Sequence, residues 1–450
     1  MLAPSHHTFW RMLMGVCLLS VNFVACHQAP SEPPPQSKIG LSVEEVNCTD
    51  VWLKLSVGGL GLPAIILQRD GAAIDTLHLT ATDTTIQNSG VVPGKDYTYL
   101  AQFVSGAPVV GTSDPVQVRT LDTTNGNFTF TTTLLGDGNS SVLYDCQIVS
   151  TNPPLAFACG EIYKKDSLGN LDPESYNVAK WDGFSWELLK IPFVGACSGV
   201  RYPPIRAMWA FASDNVLFSN GGSIVRYDGT NATMDCSMNA LLTGAINRLF
   251  ALSPQEVYAV GNAGTVVRFS NGVWQKLTSG TTIDIKDIWG STNSGTGKTE
   301  IACVASFGPQ VPQGRMVLGV EGNIVRTLVD QGLPENLFGI WFDSNGYCYL
   351  TGSGIYRKHL PITDNEAWQV VGTGLESYHT RSVRGIATND VFHAGDFGEV
   401  IHFNGISYRS YRTITGLADG SFNGTSAKDH YVIAVGYSGD KAVVTVGQRP

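Results

Sequence analysis

From about residue 127 to its end the chain repeats one short pattern, and this repeat constrains the fold more than any other feature. Three stretches show it best. At 205–229, IRAMWA is followed by DNVLF and then GSIVRYDG; at 246–274, INRLFA is followed by EVY, GTVVRF and an Asn-Gly pair before Trp274; at 383–405, VRGIA is followed by DVF and GEVIHFNG. Each unit reads as strand, turn, strand, glycine turn, strand, Asn/Asp-Gly turn, strand. Equivalent positions fall at Ile148, Trp209, Phe250, Trp289, Trp341, Ile386 and Asn423, at spacings of 61, 41, 39, 52, 45 and 37 residues. Four short strands need about 40 residues, the length of one propeller blade. The two long gaps hold insertions near 164–177 and 305–320. The spacing predicts a seven-bladed β-propeller over 127–450. The strand-like run at 127–134 precedes the first unit and is expected to complete the last blade, which removes the edges an open array would expose. A parallel β-helix and an eight-bladed ring are the competing architectures.

Composition agrees with an all-β chain. Fifty of the 450 residues are Gly, 10% are aromatic and only 15% are charged, which suits many short strands joined by tight turns. The net charge is −9, so a phosphate backbone is repelled and no nucleic-acid partner is expected.

The N-terminal 25 residues read as a signal peptide. The apolar stretch from Met12 to Ala25 is too short to span a bilayer and suits a signal h-region. It ends FVAC, which resembles a bacterial lipobox and makes Cys26 the lipidated first residue; Phe23 departs from the usual Leu. Removing the leader takes away Arg11 and no acid, so −9 becomes −10. The pair following Cys26 is His27-Gln28, which lacks the Asp that resembles an inner-membrane retention signal, so an outer-membrane or cell-surface address is expected. Residues 26–37 then form a Pro-rich extended tether.

Residues 38–121 are expected to fold as a small β-sandwich. The segment 92–99, VPGKDYTY, resembles the fibronectin type III pattern, in which a Pro-Gly loop leads into a strand bearing a corner tyrosine. The resemblance implies that Trp52 is the core tryptophan and that 113–118 (SDPVQV) forms the last strand. Such domains are spacers or adhesive modules.

The repeats resemble a known group as well. Trp289-Gly290 preceded by Ser279-Gly280-Thr281, and the segment 178–186 (VAKWDGFSW), look like bacterial propellers of the photosystem assembly-factor and sialidase-repeat groups. A sialidase would need an arginine triad, a tyrosine nucleophile and acids from several blades. The turn at 270–274 (SNGVW) is a degenerate Asp-box, a structural device whose Trp packs between blades.

Motifs of other chemistries are missing. There is no G-x-S-x-G elbow, H-E-x-x-H or phosphate loop, and residues 295–299 (GTGKT) have no following helix. Seven cysteines remain after Cys17 and Cys26, with no C-x-x-C pair; Cys197 with Cys236 is the disulfide to test first. No cofactor and no catalytic residue is identified. The weak metal candidates are Asp166, Asn170, Asp172 and Glu174, oxygen donors in one insertion, whose spacing does not match a calcium loop. Aligning the units puts Lys180, Arg226, Arg268, Arg326, Arg357 and His402 at one position, with Thr445 in the seventh unit. This is a candidate ring for an anionic partner, if the side chains are not instead snorkelling or paired locally. Two functions remain: a surface lipoprotein that binds or assembles with an unknown protein or glycan, held to the membrane by the lipid on Cys26, and a carbohydrate-active, glycosidase-like enzyme with its site at the propeller mouth.

Overall fold

The structure is a computed structural model that describes residues 38–58, 64–104, 111–195, 199, 201–293, 296–307, 314–334, 336–344, 346–362, 367–375 and 378–450. The signal peptide, Cys26, the tether and Cys197 lie outside the described residues. Cys236 is disulfide-bonded. Cys48, Cys146, Cys159, Cys303 and Cys348 are buried free thiols.

Two antiparallel sheets form the N-terminal unit. One orders Lys38–Val46, Asp50–Gly58 and Asp83–Ser89; the other orders Ala72–His78, Ala64–Arg69, Asp96–Val104 and Val116–Arg119. Period-two patterning drives their packing. In Asp96–Val104, Tyr97, Tyr99, Ala101 and Phe103 alternate inward and meet Val51, Leu53, Leu55 and Ile65. The Tyr97 hydroxyl accepts the Val92 N–H at 2.8 Å, tying the Pro-Gly loop to this strand.

Trp52 is not part of that core. It points to the other side of its strand from Leu53 and joins a cluster with Trp341, Tyr347, Tyr349 and Phe403. Its ring stacks on His359 with centroids 4.4 Å apart, and Glu45 Oε2 lies 2.9 Å from His359 Nε2. The expected core tryptophan is therefore the contact that seats the sandwich on the rest of the chain, because a strand's neighbouring residues face opposite sides.

Beyond residue 128 the chain forms a β-propeller. Among the described residues, seven four-stranded antiparallel sheets follow one another between 129 and 448. Their first strands, Val142–Thr151, Ala207–Ala212, Ile246–Ser253, Ile285–Thr292, Leu337–Phe342, Thr380–Ala387 and Ser421–Lys428, line the axis. Each packs on the next, and the last packs on the first. The seven repeat positions read from the sequence all fall on these inner strands. The run Thr129–Leu135 pairs antiparallel with Lys441–Gln448, so residues more than 300 apart in sequence complete one sheet, and Thr132 and Thr445 share a hydroxyl hydrogen bond of 2.8 Å.

The stretch at 305–320 is not simply an insertion. It contributes Arg315–Glu321, the third strand of the fourth sheet, and Ile324–Leu328 becomes the fourth. Both segments carry strand-like apolar runs. The buried run Val317, Leu318, Gly319 and Val320 takes the inner place and leaves Ile324 67% exposed at the rim.

Candidate functional site

The inner strands share one irregularity. In six of the seven, one residue near the start has no partner on the second strand: Tyr144, Asn247, Lys286, Phe338, Arg381 and Asn423 are each skipped in the pairing register. In the remaining strand Arg206 occupies the matching place, just before Ala207. These are β-bulges, which insert an unpaired residue and re-aim its side chain. A small second-strand residue accompanies most of them. Gly160, Gly261, Gly352, Gly395 and Gly436 sit opposite the residue before the bulge, and a Cβ at any of them would fall on a backbone carbonyl at, or just before, the start of the inner strand.

The six bulged residues and Arg206, with Arg248 behind them, line a cavity of about 370 Å³ at one end of the axis. Arg206, Lys286 and Arg381 make the mouth cationic, and no carboxylate lines it among the described residues. Two of the cations have acids behind the rim: Lys286 Nζ lies 3.1 Å from Asp284, and Arg381 Nε lies 2.6 Å from Asp396. Arg206 is exposed, forms no ion pair among the described residues, and holds its guanidinium 4.2 Å from the centre of the Tyr144 ring. Tyr144 donates to Glu161 at 2.9 Å. Burial, with the Glu161 contact adding to it, pushes the Tyr144 phenol up to about 12 even though Arg206 pulls the other way.

Below this mouth four buried charges cross the axis. Arg248 pairs with Asp145 and places its Nε 3.1 Å from Asp287. Arg384 holds Asp287 bidentately at 2.9 and 3.0 Å. Asp287 also accepts the Ile340 N–H at 3.0 Å, and Asp145 accepts the Met208 N–H at 3.2 Å. Burial alone would raise the Asp287 carboxyl, but Arg384 and Arg248 outweigh it and hold the group below its ordinary value. The charges come from the first, third, fourth and sixth sheets, so the network braces inner strands and forms a floor between the two ends of the channel. Asp145, Arg248 and Arg384 also line a second cavity, of about 200 Å³, at the far end.

The sequence-derived cation ring sits elsewhere. Lys180, Arg226, Arg268, Arg357 and His402 lie on third strands, two strands out from the axis, in equivalent register. Arg326 does not share that register: it stands on a fourth strand opposite Gly319, for the reason given above. Most of these groups have local partners. Arg226 donates to Asn215 at 2.5 Å, Arg268 pairs with Glu256 at 2.5 Å, Arg357 lies 4.1 Å over the Tyr347 ring, and buried His402 is 2.7 Å from Asp390. The six do not converge on one cavity.

In the insertion proposed for a metal, Asp166 accepts the N–H groups of Leu168 and Asn170, and the Asn170 amide donates to it. Asp172 pairs with Lys190 at 2.7 Å and accepts the Glu174 N–H. The oxygens thus close the loop on itself, and no metal-binding group of three or more His, Cys, Asp or Glu residues is found among the described residues. The Asp-box-like turn packs as expected: the Trp274 indole donates at 3.0 Å to Asp235 of the preceding sheet.

No protein-family model matches this chain. No curated protein matches it. Among solved structures it is similar to YCF48 bound to a D1 peptide, at 14% identity over 73% of this chain and 99% of that one, with a TM-score of 0.52. It is also similar to YCF48 from Cyanidioschyzon merolae, at 16% identity over 71% of this chain and 99% of that one, with a TM-score of 0.51. These likenesses define the class by fold alone: a β-propeller.

Proposed function

We propose that this protein is a cell-surface lipoprotein whose propeller captures an acidic peptide segment at the cationic axial mouth. In this reading residues 1–25 are removed, Cys26 carries lipid at the outer membrane or cell surface, and 26–37 form the tether. Residues 38–121 are a fibronectin type III-like spacer, and 127–450 form a closed ring of seven blades. The Tyr97–Val92 hydrogen bond supports the spacer assignment, since a corner tyrosine reaches back to upstream backbone in this way. The seven sheets and the pairing of Thr129–Leu135 with Lys441–Gln448 support the ring.

The observation that carries the binding reading is the bulge ring. With Arg206 at the matching place it gathers Arg206, Lys286 and Arg381 at one concave site on an otherwise acidic protein, and Arg206 forms no ion pair among the described residues. Clustered cations at a groove recognise acidic motifs, and arginine can do so bidentately. That a YCF48 propeller is seen with a bound peptide fits the same use. A pull-down from detergent-solubilised envelope with the 38–450 fragment tests it. One protein captured by the wild type and lost with Arg206→Glu supports the reading, while identical capture by both refutes it.

One observation favours the enzyme reading: Tyr144 and Glu161 are hydrogen-bonded beside Arg206. Against it, a phenol held up at about 12 stays protonated at neutral pH and is a poor nucleophile. Turnover on a glycosidase panel that vanished with Tyr144→Phe would reverse the ranking.

A further inference from the structure

The far end of the channel differs in chemistry from the cationic mouth. Its cavity of about 200 Å³ is smaller than the pockets of multi-ring ligands, which start at about 300 Å³, and it has room for one six-membered ring. Two half-buried indoles, Trp209 and Trp289, form part of its wall. Their centroids are 6.0 Å apart with planes at 54°, and the Arg384 guanidinium lies 4.8 Å from the Trp289 ring centre.

The charge of this end is nearly balanced. Asp145 and Asp287 offset Arg248 and Arg384 in the floor. At the rim Lys428 is already tied to the Val149 carbonyl at 2.7 Å. A small ion therefore has little to recognise here, in contrast to the other mouth.

The polar groups suit a neutral partner. Three indole N–H groups are engaged within the protein: Trp289 donates to Phe342, Trp274 to Asp235 and Trp368 to Val329. The N–H of half-buried Trp209, on the cavity wall, makes no hydrogen bond among the described residues and is left to donate to a ligand. Ser426 Oγ accepts the Ile148 N–H and keeps its own proton to donate. Apolar ring faces beside free hydroxyl and N–H donors match a ring with an apolar C–H face and polar edges.

We propose that this end of the channel binds one neutral hexopyranose unit of a glycan, stacked on Trp209 and hydrogen-bonded at its edge. This site is independent of the cationic mouth. Saturation-transfer NMR on the mature protein, with glucose, galactose, mannose and N-acetylglucosamine each at about 10 mM, would detect affinities in the millimolar range expected of a single sugar. At least one sugar should show transfer to its ring C–H protons. That signal should fall at least tenfold with Trp209→Ala and several-fold with Trp209→Phe, which keeps a ring but loses the N–H, so the test stands even if the alanine variant fails to fold. Arg206→Glu should leave it unchanged, which separates this site from the peptide reading. Absence of transfer from all four sugars, transfer only to phenol or indole probes, or a signal unaffected by both Trp209 variants would overturn the proposal.

Discussion

Arg384 grips Asp287 with both terminal guanidinium nitrogens, at 2.9 and 3.0 Å, joining the sixth inner strand to the fourth beneath the cationic mouth. Asp287 is fully buried, and Arg248 approaches its other side. Removing one partner of a buried ionic network leaves uncompensated charge and costs about 3–5 kcal/mol. Asp287→Asn should lower unfolding free energy by that order in urea titrations, with no change at the exposed Asp96–Arg119 pair, whose disruption should cost under about 1 kcal/mol.

The bulges depend on second-strand glycines. A Cβ at Gly261 would land on the Ala245 carbonyl, so Gly261→Val must displace the inner strand that presents Asn247. A loss of about 1–3 kcal/mol is expected from such overpacking. Gly58→Val is the control, since nothing lies within 4 Å of its Cβ position; it should change stability by less than about 0.5 kcal/mol.

His393 sets an acid limit. It is fully buried, neither ring nitrogen has a hydrogen-bond partner among the described residues, and burial depresses it to about 3. Between pH 6.5 and 3 the unfolded chain binds a proton that the native chain refuses, so stability falls as pH falls through that window and is fully present above it. His393→Phe should flatten the pH dependence of unfolding there. Asp287 and Asp390, whose carboxyls are held low by the arginines beside them, add a further loss as pH falls through the ordinary carboxylate range, at the acid end of the same window. An unchanged slope in the variant would contradict the assignment.

The stacked Trp52–His359 pair, with Glu45 beside it, should govern how firmly the sandwich holds to the propeller. Trp52→Ala removes a buried ring and should cost about 3–5 kcal/mol. It should also speed limited proteolysis near 122–126 more than Ile86→Val, a change inside the sandwich core.

The propeller was legible because the repeat is local: apolar strands, Asn/Asp-Gly turns and spacing near 40 residues need no knowledge of distant contacts. The third strand of the fourth sheet was misread because two apolar runs compete for one place, and only burial ranks Val317 and Leu318 above Ile324. Trp52 was misplaced for a related reason, since sequence cannot say which face of a sheet has a neighbour. The axial site was missed because a bulge leaves no strict periodic mark. Its signals were nevertheless present: a charge inside each apolar run at Asp145, Arg248, Asp287 and Arg384, and a glycine ending several second strands, as at Gly261, Gly352 and Gly395. The third-strand cations were easier to see because they align without a skip, and their partners, such as Glu256 for Arg268, lie across a hairpin.

The cationic mouth is tested most directly by fluorescence anisotropy of a labelled peptide of mixed Asp and Glu, titrated with wild-type protein and with the Arg206→Glu, Arg381→Glu double variant at low and high salt. Wild-type binding should weaken as salt rises, and the double variant should bind at least tenfold more weakly while unfolding at a similar temperature. Equal affinity of the two proteins, or wild-type binding indifferent to salt, would contradict a peptide-capturing role for the ring of bulged residues.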